Sequence, residues 1–231
     1  MYSDLSSLTI MSKVIRGGGS RQPMQEAQLS TKQECDDRIL ELVEEKPENA
    51  LAKRIAAAAE LAALSVAVSP VATFLPRLNW GIAIFDPVSF FWIAAFLIGG
   101  PYVGITASIA GTFTLFFTDP TLVGPAFKLA ATLPLIIVPA VYVKLRARDR
   151  GGETLSNARL YAILMLIAFV VRLVVMVPIN IVLVPILMGV NDVTFIVQYT
   201  VSLNTLQSFW DALVPFVIVH RTPVFKHFRL W

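Results

Sequence analysis

Apolar residues in this chain fill long, nearly unbroken blocks instead of recurring on one face of a helix or alternating as in a strand. The blocks run over residues 55–75, 87–118, 124–143, 160–187 and 193–219. A bilayer's hydrocarbon core is about 30 Å thick and takes about 20 apolar residues per crossing helix. Blocks of this length separated by short polar joints predict membrane-spanning helices. The block 87–118 is too long for one crossing and is punctuated by Gly99-Gly100-Pro101, so it predicts two short helices joined by a tight turn. The block 160–187 exceeds a perpendicular crossing and predicts a tilt or a kink at Pro178. The expected fold is therefore an all-α bundle of six transmembrane helices over residues 51–231.

Residues 1–50 form a different zone, a polar leader. Gly17-Gly18-Gly19-Ser20 reads as flexible linker. Ser30-Thr31-Lys32-Gln33 has the form of a capping box and is followed by Ile39, Leu40, Leu42 and Val43. A short amphipathic helix ending near Pro47 and a solvated tail are equally good readings of that stretch. The leader lacks the apolar core of a secretory signal.

Composition agrees with a lipid-facing surface. Hydrophobic residues are 56% of the chain and charged residues 15%, against about half and about a quarter in soluble domains; the mean hydropathy is +0.69. The net charge of +3 raises a nucleic-acid partner only to exclude it, because the cations cap the apolar blocks and do not line one face. Lys53 and Arg54 precede the first block, Lys144, Arg146, Arg148, Arg150 and Arg159 separate the fourth and fifth helices, and Arg221, Lys226 and Arg229 follow the last. Positive residues flank the cytoplasmic ends of membrane helices. The three clusters share one side only if even numbers of spans separate them. Six helices meet that condition, with both termini cytoplasmic in a multi-pass plasma-membrane protein; five do not.

Catalytic templates are missing from the sequence: no nucleophile elbow, no paired-histidine zinc motif, no phosphate-binding loop. An enzyme is not expected, nor a metal site, since Cys35 is the single cysteine and His220 and His227 are the two histidines. Uphill transport would then draw on an ion gradient or on separate ATPase subunits. Charged groups inside the apolar blocks are costly unless paired or wetted. Glu60, Arg172 and Asp211 are such groups. With a rise of about 1.5 Å per residue, Arg172 and Asp211 differ in depth by roughly 10 Å, within reach of an arginine side chain. An Arg172–Asp211 pair, or Arg172 on Asn204, is the expected structural use; an inner gate or partner contact is the functional one. Asn180, Asn204 and Gln207 glue helices or line a cavity. With Lys128 and the polar-aromatic loop 79–86, including Trp80, Phe85 and Asp86, they suggest a cavity open to the outside that holds a planar ligand.

The first block carries another pattern. Ala59, Ala63 and Ala67 recur every four residues, a small-residue stripe that lets backbones approach closely. It serves packing within the chain or docking of a membrane partner. At this stripe the chain resembles the S components of energy-coupling factor (ECF) transporters, small six-helix vitamin-binding proteins that dock through an alanine surface of their first helix. The riboflavin-binding members are the most similar. Phe85-Asp86-Pro87-Val88-Ser89 resembles their entry to helix two, and Gly100-Pro101-Tyr102-Val103-Gly104 is similar to their Gly-Pro turn. Asn180 followed by Pro185, and Asn204, resemble their helix-five and helix-six motifs. Two positions depart from that pattern: Gly124 is followed by Pro125 and later by Lys128, and Gln207 stands where those members carry lysine. The resemblance covers residues 53–231. It implies an S component with riboflavin, another vitamin or a modified-base precursor as transported ligand. Trp80, Phe85, Asp86, Lys128, Asn180, Asn204 and Gln207 would hold the ligand. Ala59, Ala63 and Ala67 would dock on an ECF transmembrane coupling protein bound to ATPase subunits. A stand-alone secondary transporter using Arg172, Asp211 and Glu60 as an ion relay is the alternative.

Overall fold

A computed structural model describes residues 47–70, 87–117, 123–148, 150–222, 228 and 230–231. The leader, residues 71–86 with the expected loop 79–86 and its Trp80, Phe85 and Asp86, and the expected short helix before Pro47 lie outside the described residues. Contacts divide the chain between Asn49 and Ala50, and the fold below is that of Ala50–Trp231.

Among the described residues every regular element is a helix and none is a strand. The helices are α1 (Pro47–Val68), α2 (Pro87–Leu115), α3 (Gly124–Arg146), α4 (Ala158–Met188) and α5 (Val193–Arg221), with a 3-10 turn at Gly151–Ser156 between α3 and α4. Pro125 in the first turn of α3 has its φ preset for a helix start. The Asn157 and Asp192 side chains accept backbone N–H bonds at the N-termini of α4 and α5, and Gly189 in the left-handed region ends α4. Proline 178 lies within α4, which is helical from Ala158 to Met188. By length and composition alone α2, α3 and α4 are long and apolar enough to cross a membrane, which fits a membrane protein; in α2 that length is divided between two arms.

The longest apolar block folds back on itself at the expected place. Gly100 has φ 83° and ψ −175°, a region essentially restricted to glycine, and Pro101 follows. In a straight helix Phe96 and Gly104 would be about 12 Å apart along the axis. Instead, a methyl group at Gly104 would meet the Cα of Phe96 at 2.8 Å, and one at Gly111 would meet Trp92 Nε1 at 2.5 Å. Element α2 is therefore a helical hairpin with arms over 87–99 and 101–115, each about 20 Å long. Helix α3 packs on α2 and α4, and α5 packs on the same two, closing a ring of helices. Its core holds Ile93, Phe96, Leu97, Leu135, Ile136, Leu164 and Val219.

Helix α1 lies against the hairpin through Ala58, Ala62 and Ser65, all buried, facing Ala95, Val103 and Ala107. Trp92 Nε1 donates to Ser65 Oγ at 3.0 Å, and that hydroxyl donates to the Ala62 carbonyl. The hairpin apex and the basic segments share one end of the molecule. The Trp231 ring lies tilted against Phe96, with ring centroids 5.1 Å apart, and sits where a side chain at Gly100 would project, and the Trp231 backbone abuts Gly151. Arg54 Nε donates to the Leu230 carbonyl at 3.1 Å. Segments around residues 54, 100, 151 and 231 thus converge at what we term the basic end.

Candidate functional site

Polar groups inside the bundle gather on one residue. Arg172, on the bundle-facing side of α4, is 2% exposed. Its Nη1 donates to Asp211 Oδ2 at 2.9 Å, its Nε to Asn204 Oδ1 at 2.7 Å and its Nη2 to Gln207 Oε1 at 2.9 Å. Residues 204, 207 and 211 are spaced three and four apart, so α5 presents them on one face. Ser89 Oγ donates to the other carboxylate oxygen of Asp211 at 2.6 Å. Both structural partners expected for Arg172, the aspartate and the asparagine, are engaged together.

The position of Ser89 explains why the carboxylate is tolerated there. Ser89 lies in the first turn of the arm 87–99, so Asp211 sits beside the positive end of that arm's dipole. Ser89 is about 16 Å from the hairpin apex along the helix, and Asp211 is about 15 Å from the Arg221 end of α5. The depths agree, and the network ties α2, α4 and α5 together in the middle of the bundle. Each bond to a charged group is stronger than a neutral one and offsets the cost of taking the ions out of water. Tyr161 adds a bond from its hydroxyl to the Ala212 carbonyl, and its ring stacks on Phe216 at 4.7 Å.

The expected ligand-binding residues divide accordingly. Asn204 and Gln207 are brought together, on Arg172. The amide nitrogen of Asn180 donates to the Met176 carbonyl one turn back on α4. Lys128 is half-buried near the start of α3, the end remote from the basic end. Trp80, Phe85 and Asp86 lie outside the described residues. Ser89 was not among the expected site residues; its signal was a serine in the first turn of a predicted helix, but only the hairpin geometry sets it against Asp211.

On α1 the three alanines of the stripe, Ala59, Ala63 and Ala67, are exposed, while the neighbouring Ala58, Ala62 and Ser65 make the internal contacts. Beside α1 runs an apolar groove of about 450 Å³ between α1, the arm 87–99 and α5, lined by Leu61, Phe90, Phe91, Ala94, Pro215 and Ile218 among others. Glu60, itself exposed, borders it. Among the described residues no cluster of histidine, cysteine and carboxylate side chains could hold a metal ion. Comparison with known protein families, curated proteins and solved structures yields no match.

Proposed function

We propose that this chain is the substrate-binding S component of an ECF-type importer, a six-span plasma-membrane protein with both termini cytoplasmic. It captures a vitamin, riboflavin first, in the half of the bundle remote from the basic end. The vitamin's ring lies against Trp80, Phe85 and Asp86 of the loop, with Lys128 and Asn180 beneath it. A ligand reaching Asn204 and Gln207 would exchange their bonds with Arg172, so binding there is coupled to the buried network. Energy comes from separate ATPase subunits through a transmembrane coupling protein.

The observation that carries this reading is the exposed Ala59-Ala63-Ala67 face. Packing within the chain uses the neighbouring alanines and leaves this stripe open beside an apolar groove. Flat small-residue faces permit close helix approach in lipid. Ala63→Trp should abolish uptake by the complete transport system, at least tenfold, while riboflavin binding to the purified chain stays within twofold. Undiminished uptake, or binding lost together with uptake, would count against the docking role.

A secondary transporter is the second reading, favoured by the intramembrane Arg172–Asp211 pair, a kind of element that marks ion pathways. It requires uptake by the chain alone in liposomes under an imposed ion gradient. The S-component reading requires none.

A further inference from the structure

The basic end carries a feature that neither vitamin capture nor partner docking uses. Between α3 and α4 the segment 144–159 holds five cations, Lys144, Arg146, Arg148, Arg150 and Arg159, against two carboxylates, Asp149 and Glu153. The five cations are exposed, and none makes an ion pair among the described residues. A cavity of about 440 Å³ opens in this segment, lined by Arg150, Glu153, Thr154, Ser156, Asn157 and Leu160. The Thr154 hydroxyl oxygen is screened from bulk water and has no hydrogen-bond partner. Such a group is costly unless a ligand or solvent completes it.

Directly beyond the cavity, α4 turns an apolar strip outward. Ile163 is 57% exposed, Leu166 64%, Val170 53% and Val174 68%. They follow one another at spacings of three and four, one continuous face over about 16 Å. The cavity lining itself balances Arg150 against Glu153, but the segment around it is net cationic. A polar cavity in such a segment, leading into an apolar strip, has the polarity of a single amphiphile with an anionic head and hydrocarbon tails.

We propose that the cavity between α3 and α4 is a binding site for an anionic phospholipid. Arg150 in the lining and Arg159, exposed beside lining residue Leu160, would neutralise the phosphodiester, and the Thr154 and Ser156 hydroxyls would donate to its oxygens. The acyl chains would lie along Ile163, Leu166, Val170 and Val174. This site rests on the membrane location of the chain but not on its being an S component.

Native mass spectrometry of the full chain, extracted from nanodiscs of phosphatidylcholine with phosphatidylglycerol as minor component, tests the site. The wild-type chain should retain phosphatidylglycerol over phosphatidylcholine by at least fivefold beyond its share of the bilayer. The Arg150→Gln/Arg159→Gln variant should lose that preference. Arg221→Gln, which removes a cation at the same end but outside the cavity, should keep it. Thr154→Val, which leaves every charge in place, should reduce retention at least twofold without lowering the melting temperature. Four results would overturn the proposal: equal retention of both lipids, equal loss in Arg221→Gln, equal retention of phosphatidylethanolamine, or displacement of the lipid by soluble glycerol phosphate. The last would mean that the headgroup alone is recognised. Riboflavin binding by the same samples is a separate readout, so failure of the lipid site and failure of the vitamin reading are told apart.

Discussion

Arg172 concentrates the internal polarity of the molecule, and its energetics are those of a buried ion pair. Removing one partner leaves the other charge desolvated, at a cost of about 3–5 kcal/mol. Arg172→Ala and Asp211→Ala should therefore each lower stability by that order in a detergent unfolding titration. Arg172→Leu/Asp211→Leu should recover most of the loss, and an equally unstable double variant would show that the pair contributes more than mutual neutralisation. Ser89→Ala removes one charge-assisted bond and should cost about 1–2 kcal/mol. At Gly100, alanine meets both a glycine-only backbone conformation and the Trp231 ring; about 1–3 kcal/mol of destabilisation is expected. At this scale the sequence was informative where arithmetic sufficed. A rise of 1.5 Å per residue is enough to bring Arg172 within reach of Asp211 and Asn204. The contacts of Ser89 with Asp211 and of Trp231 with Gly100 join segments more than a hundred residues apart, and no local pattern encodes them.

Among the elements, the hairpin and α1 show what a pattern can and does not carry. Gly99-Gly100-Pro101 marked the fold-back because glycine and proline act locally, and the ends of α3, α4 and α5 followed the apolar blocks within a few residues. Helix α1 runs from Pro47 to Val68, where the hydropathy predicted residues 55–75. Helix formation there continues into polar residues such as Glu48 and Asn49, which a span count based on apolarity leaves out. Which alanines of α1 face inward was also hidden, because alanine occupies both faces and hydropathy does not separate them. The structure assigns Ala58 and Ala62 to the inside and Ala59 and Ala63 to the outside. Ala58→Leu should overpack the contact with the hairpin and cost about 1–3 kcal/mol. Ala59→Leu should stay within about 0.5 kcal/mol in the isolated chain. A reversal of that order in thermal melts would place the wrong face of α1 against α2.

For the whole molecule, four segments distant in sequence meet at one end, and all three basic clusters flank segments gathered there. In the proposed topology this end is cytoplasmic. In a Cys35→Ser background, an impermeant maleimide added to intact cells should label Asn191→Cys, in the joint between α4 and α5, and spare Arg148→Cys until the cells are opened. Labelling of Arg148→Cys from outside would invert the topology, and equal labelling of both would break the even span count. The ligand itself lies beyond what hydropathy or packing specifies, because the aromatic and acidic residues proposed to contact it, Trp80, Phe85 and Asp86, lie outside the described residues and their chemistry admits several planar vitamins. Its identity is the central claim, and the most direct test is chemical identification of what the purified chain retains. The account predicts riboflavin, or another planar vitamin, at about one molecule per chain, with added riboflavin fluorescence quenched on titration. A chain that retains no small molecule, leaves riboflavin fluorescence unchanged and takes up solute unaided under an ion gradient would contradict it.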